Sequence, residues 1–222
     1  MLQQTYYTVS EELMQEARHA LPSIDSRIAI NQPTGKFFSD PWVIKSEFKG
    51  TIWEKILDKI SEDKGEARLI KLSPGECYPS HADIDDRWHL SLTGNNSFLI
   101  DLENNIMHQT NVEGQWFLMN AGVRHTAANF GSEDRVQLVV RKLLPTPQIK
   151  NPKTVSIKLK QVIGERRFVF DDIISPWLNK AYKLGIVDNF KGEDLEARFT
   201  VEESYIAELQ QVIDYYFTLT IE

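Results

Sequence analysis

Apolar residues recur along this chain with two different rhythms. Ile52, Trp53, Ile56, Leu57 and Ile60 share one face at helical spacing. Thr51-Ile52-Trp53-Glu54 ahead of them is a capping box, and Lys64-Gly65 supplies a stop. Near the far end Thr200-Val201-Glu202-Glu203 repeats the box, followed by a stripe of Tyr205, Ile206, Leu209, Val212, Ile213 and Tyr216. A third helix is expected from Ser175, with Pro176 at its first position and Gly185 just past its end. The first twenty residues read as a weaker helix through Leu13, Met14, Ala17 and Leu21. Such stripes are read as core contacts rather than cofactor sites, because burying one face is how most helices persist.

From about Ala67 to Leu144 the rhythm shortens to two. Runs of β-branched and aromatic residues are cut by turn clusters: Ser73-Pro74-Gly75, Gly94-Asn95-Asn96, Glu103-Asn104-Asn105, Glu113-Gly114 and Gly131-Ser132. That spacing predicts an antiparallel sandwich or barrel. In RWHLSLT, Arg87, His89, Ser91 and Thr93 point one way and Trp88, Leu90 and Leu92 the other. RVQLVVR alternates likewise, with Arg135, Gln137 and Arg141 opposite Val136, Leu138 and Val140. Two structures fit such strands: a sheet with one face in water, or a barrel whose interior is a polar pocket. Leu144-Pro145-Thr146-Pro147, with Pro152 close behind, marks the exit into a tail. The expected fold class is mainly β with flanking helices. A core over 1–150 with N-terminal helices precedes a helical C-terminal extension over 151–222.

Length and composition narrow the class. A chain of 222 residues, 41% hydrophobic and 26% charged, is globular and can hold a core without disulfides. Its formal charge of −7 repels phosphate backbones, so nucleic acid is not an expected partner. The single cysteine, Cys77, excludes an internal disulfide and a multi-cysteine zinc site. The first residues lack the pattern of a secretory signal, no apolar run suits a membrane span, and Met1-Leu2 lacks the glycine of a myristoylation signal. The expectation is a soluble, cytoplasmic protein without membrane contact.

The chemistry gathers in the strand-rich part. In PSHADID, His81 and Asp83 stand two apart, so an extended backbone projects both from one face with Cα atoms roughly 6.6 Å apart. Each could reach one metal at about 2.0–2.2 Å. A third ligand is expected from His125, in GVRHTAANF. Two His and one carboxylate on one side of an octahedron form the facial triad of non-haem Fe(II) oxygenases. Taken separately, His81 also fits a surface loop and His125 a hydrogen-bonded core position. Asp85 and Asp86 compete with Asp83, though Asp85 lies further from His81; His19 and His108 read as surface residues.

Arg135 lies ten residues beyond His125. A five-carbon diacid held at one end by iron leaves its far carboxylate about 6 Å away, wanting a planar fork of donors. If 130–134 form a hairpin turn, Asn129 faces Arg135, and Arg135 shares a side with His125; a one-residue shift turns it outward. Arg141 has the same parity and is the reserve. Arg87 and His89 supply further donors for a bound carboxylate.

His81-x-Asp83, Arg87-x-His89-Leu90, Gly114-Gln115-Trp116, His125 with Asn129, and Arg135 together resemble the aspartyl/asparaginyl β-hydroxylase family over about Ala67 to Leu143. That family consists of Fe(II)/2-oxoglutarate oxygenases on a double-stranded β-helix, a cupin-like jelly roll; some microbial proline hydroxylases are similar. The resemblance implies that His81, Asp83 and His125 hold Fe(II). It implies that Arg135 binds the distal carboxylate of 2-oxoglutarate as co-substrate, with Arg87 and His89 helping. The animal enzymes lack an acidic residue two positions after the first histidine; Asp83 therefore favours the microbial branch.

The function implied is a dioxygenase that hydroxylates an amino acid, free or peptidyl, using O2. A cupin-like metalloenzyme without 2-oxoglutarate would use the same ligands and not need Arg135. A non-catalytic barrel binding a small carboxylate or a protein is the third reading. The C-terminal helices would cover the barrel mouth or form a homodimer contact.

Overall fold

A computed structural model describes residues 1–160, 166–193, 196–213 and 215–222. Its contacts divide the chain into two units: Met1–Pro79 with Asp85–Leu143, and Ser80–Ile84 with Leu144–Glu222.

The first unit opens with β1 (Leu2–Thr8), α1 (Glu11–His19), β2 (Arg27–Ala29), β3 (Asn31–Pro33), β4 (Trp42–Ile44) and α2 (Ile52–Leu57). It continues as strands alone: β5 (Lys64–Leu72), β6 (Arg87–Ser91), β7 (Ser97–Asp101), β8 (Ile106–Gln109), β9 (Gln115–Met119), β10 (His125–Asn129) and β11 (Arg135–Lys142). The expected turn clusters fall between these strands, and Gly75, Gly94, Asn105 and Gly114 adopt the left-handed φ that such turns require.

β5 to β11 form two sheets. β9, β6, β11 and β5 lie in that order inside a six-stranded sheet edged by β1 and β2; β10, β7 and β8 form a three-stranded sheet. A bridge from Cys77 to Ala128 adds an extended fragment beside β10. The chain thus winds between two facing sheets as a double-stranded β-helix. The fold is mainly β with flanking helices, as the sequence implied.

One face of the large sheet is apolar and covered. Met14 and Ala17 of α1 and Ile52, Trp53, Ile56 and Leu57 of α2 share a core with Leu69, Trp88, Leu90, Trp116, Leu138 and Val140. α2 begins at the predicted cap, with Thr51 Oγ1 accepting from Trp53 N, but the reciprocal box does not close: the Glu54 carboxylate accepts from Gly50 N, and Thr51 N donates to the Phe48 carbonyl. It ends at Leu57, however, and Lys64-Gly65 opens β5 instead of stopping a helix. The N-terminal helix is confined to Glu11–His19; Leu2–Thr8 pair with β9 as a strand.

The opposite face is also buried. Every residue of β6 is buried, as are Arg135 to Val140 of β11, so Arg87, His89, Ser91, Arg135 and Gln137 line a barrel interior and not a wet surface. Leu72 and Met119 of the large sheet meet Leu99 and Ala127 of the small one across it.

The second unit holds β12 (Pro152–Leu159), α3 (Arg166–Lys183), β13 (Val187–Glu193), β14 (Glu196–Glu202), α4 (Ile206–Ile213) and β15 (Phe217–Ile221). The four strands form an antiparallel sheet ordered β13-β14-β12-β15 beside the two helices. The Thr200 capping box is absent, because Thr200 sits inside β14. α3 starts at Arg166, well before Ser175, and carries Pro176 in its interior. Its end matches expectation: Gly185 has φ of +68°, with Ile186 N bonded to Ala181 O and Gly185 N to Tyr182 O, a Schellman motif.

Candidate metal centre

His81, Asp83 and His125 come together. Each offers one ligand atom, and these atoms lie within 4.8 Å of one another. His81 Nε2 and Asp83 Oδ2 are 3.6 Å apart. Two ligand atoms at right angles on one ion, each bonded at about 2.0–2.2 Å, sit about 3 Å apart, so small torsions would close the set. Ser80–Ile84 lies outside the named strands but alternates as an extended backbone should. His81 and Asp83 are half-buried, whereas Ala82 and Ile84 between and after them are buried.

His125 opens β10 and is paired with Asp101 of β7. Its Nδ1 is 2.8 Å from the Val123 carbonyl, which can only accept. The ring is therefore oriented by a backbone carbonyl with its proton on Nδ1, the tautomer seen in metal-binding histidines.

Asp85 does not join this group. It is buried, and its carboxylate accepts from Arg141 Nη1 at 2.5 Å and lies 3.8 Å from Arg87 Nη2. Asp86 accepts from Ala121 N. Arg141, the reserve anchor, also donates to Glu66 at 3.1 Å and lies over the Phe37 ring at 5.3 Å. Burial alone would raise the Glu66 carboxyl, but the guanidiniums of Arg68 and Arg141 outweigh it and hold it below the usual carboxylate range.

Arg135 is 2% exposed. Desolvation lowers its pKa to about 10, which leaves it charged at neutral pH. One Nη donates to Gln137 Oε1 at 2.6 Å, while Nε has no partner among the described residues. The hairpin that would place Asn129 opposite Arg135 does not form, because β10 and β11 belong to different sheets. Asn129 Nδ2 instead donates to the carbonyls of Leu72 and Glu133, and Leu72 is the residue paired with Arg135. Gly94, at φ +104°, backs the same spot: a Cβ there would meet Arg135 Cα at 3.1 Å.

Gln137 is the hub. Its Oε1 accepts from Arg135 and lies 2.9 Å from His89 Nδ1; its Nε2 donates to Ser91 Oγ at 2.8 Å and Thr110 Oγ1 at 2.6 Å. Since Oε1 can only accept, His89 must donate through Nδ1. Burial, with the charges of Arg135 and Arg87 adding to it against the Gln137 bond, brings the His89 pKa down to about 3. His89 is thus a neutral ring whose Nε2 is an acceptor. Its Nδ1 bond steadies the Gln137 amide that holds Arg135.

His108 is not a surface residue either. It is half-buried and pairs with interior-facing Leu99, and among the described residues neither its buried Nε2 nor Ser97 Oγ has a partner. The parity of Gln137 with Arg135 was visible in the sequence; nothing there pointed to Thr110 or to Val123.

The family model for aspartyl/asparaginyl beta-hydroxylase matches residues 51–145. That span holds His81, Asp83, Arg87, His89, His125 and Arg135, so the resemblance read from the sequence stands over it. Among solved structures, a cupin domain from Bordetella pertussis Tohama I is similar at 13% identity, over 54% of this chain and 97% of its own, with a TM-score of 0.32. No curated protein matches the sequence. Among the described residues no helix is long and apolar enough to cross a membrane.

Proposed function

We propose that this protein is an Fe(II)/2-oxoglutarate-dependent oxygenase that hydroxylates an amino acid, free or within a peptide, in the cytoplasm. The observation that carries the reading is the trio itself: His81, Asp83 and His125 offer two imidazole nitrogens and a carboxylate oxygen within 4.8 Å of one another, and the Val123 carbonyl accepts from His125 Nδ1. The donor set suits iron, with two imidazoles and one carboxylate that leave positions for co-substrate and O2. When bound, the iron supplies the oxygen chemistry that couples decarboxylation of 2-oxoglutarate to hydroxylation of an unactivated C–H bond.

The chain's own residues bind and orient. Arg135 offers a charged fork for the distal carboxylate, fixed in direction by Gln137. Arg87 adds positive charge on the neighbouring strand. Among the described residues Arg135 Nε, His89 Nε2, His108 Nε2 and Ser97 Oγ are buried without a partner, as they would be in an interior built for a polar guest, since buried polar atoms are rarely left unsatisfied. Leu72, Leu99, Met119 and Ala127 line its dry side.

Anaerobic titration tests the reading. Fe(II) with 2-oxoglutarate should give a weak visible charge-transfer band in the wild type and none in His81→Ala. Arg135→Ala should weaken 2-oxoglutarate by 10-fold or more, on the order of 1.4 kcal/mol, and leave iron affinity nearly unchanged. A band retained in His81→Ala, or equal losses of both ligands in Arg135→Ala, would refute the assignment. Succinate release on addition of free amino acids and short peptides then identifies the substrate.

A further inference from the structure

Two of the three candidate ligands sit on Ser80–Ile84, which lies outside the named strands and clusters with the C-terminal residues. A facial site needs its ligands held within a fraction of an ångström, so a loop that carries two of them must itself be held. In α3, Asn179 is 4% exposed, and its Nδ2 donates to the Ile84 carbonyl at 3.0 Å. Asn179 and Ser175 one turn before it are polar residues buried in a helix that also buries Ile174, Trp177, Leu178, Ala181 and Tyr182, and a buried amide is costly unless its bond is made.

The loop's alternation gives that bond its direction. Ala82 and Ile84 are the buried, anchored side, and His81 and Asp83 project from the other. Fixing the carbonyl of Ile84 therefore fixes the backbone one residue after Asp83 and limits the rotation that would swing both ligands out of register. The family match ends at residue 145, short of α3. We infer that α3, through Asn179 as a positioning residue, holds the His81–Asp83 loop in its ligating conformation. This rests on the metal reading above.

Co(II) serves as the probe, read by its visible absorption in the full-length protein. Asn179→Leu keeps the volume and removes the donor. It should bind Co(II) about 10- to 100-fold more weakly than the wild type, while far-UV circular dichroism and a cooperative apo melt show it folded. Asn179→Gln, which keeps an amide donor, should recover part of the loss. An affinity within twofold of the wild type in folded Asn179→Leu overturns the inference. If that variant does not fold, hydrogen exchange on the wild type decides. Co(II) must slow exchange in α3 as well as in residues 80–84, and protection confined to 80–84 overturns it. A wild type that binds no Co(II) defeats the metal reading first, a separate and distinguishable result.

Discussion

His89 shows how far a single residue's neighbours can reverse its chemistry. Near pH 6.5 a free imidazole is half charged and donates from both nitrogens. Buried beside Arg135 and committed to Gln137, this one stays neutral to about pH 3. The unfolded chain takes up a proton below about pH 6.5 that the folded chain refuses, so stability present above that pH is lost as acid is added. Each pH unit between about 6.5 and 3 should cost the fold about 1.4 kcal/mol through this residue. Urea unfolding of the metal-free protein at pH 7, 6 and 5 should give a steeper loss for the wild type than for His89→Gln. Parallel slopes would mean that His89 is protonated in the folded barrel. The role was not readable from sequence, because alternation places a side chain on a face without saying which of its two nitrogens is already engaged.

Elements were most readable where one mechanism acted alone. α2 is announced by Thr51, and its buried face follows the helical spacing. Removing the cap with Thr51→Ala should cost about 1 kcal/mol. Ile56→Ala, at a position with no exposure, should cost about 2–5 kcal/mol. Chemical denaturation should rank them in that order, and a larger loss at the cap would contradict the packing described. Elsewhere two mechanisms competed. Thr200-Val201-Glu202-Glu203 satisfies the capping-box pattern, yet Ala197, Phe199 and Val201 alternate and are buried, and that period of two prevails. Pro176 suits a helix start, but in α3 it is accommodated mid-helix. For β6 and β11 alternation was plain, while the choice between water and interior was not. A strand's pattern names its two faces, and only the second sheet, supplied by β7, β8 and β10, decides what the polar one meets.

For the whole molecule, a metal that binds only the folded chain should stabilise it by mass action. At a concentration 100 times its dissociation constant, Fe(II) or Co(II) should add about 2.7 kcal/mol. Calorimetry under anaerobic conditions should show a raised melting temperature that EDTA reverses and that His125→Ala abolishes; an unchanged melt would argue against a centre that forms on folding. Much of this level was legible. His125 and Arg135 each open a strand, β10 and β11, as their runs in the sequence implied, whereas His81 and Asp83 sit on a segment outside the named strands. The C-terminal sheet was not legible, since its strands lie among helical stripes.

Gly94 carries a consequence for anyone redesigning this interior. Its φ is +104°, and a Cβ there would press on Arg135 Cα at 3.1 Å and Cβ at 3.2 Å, so the stem of that side chain packs directly against it. Substituting it would change no polar side chain of the interior, yet it would crowd the backbone from which the Arg135 side chain springs, so the aim of that cation depends in part on a carbon atom missing behind the wall.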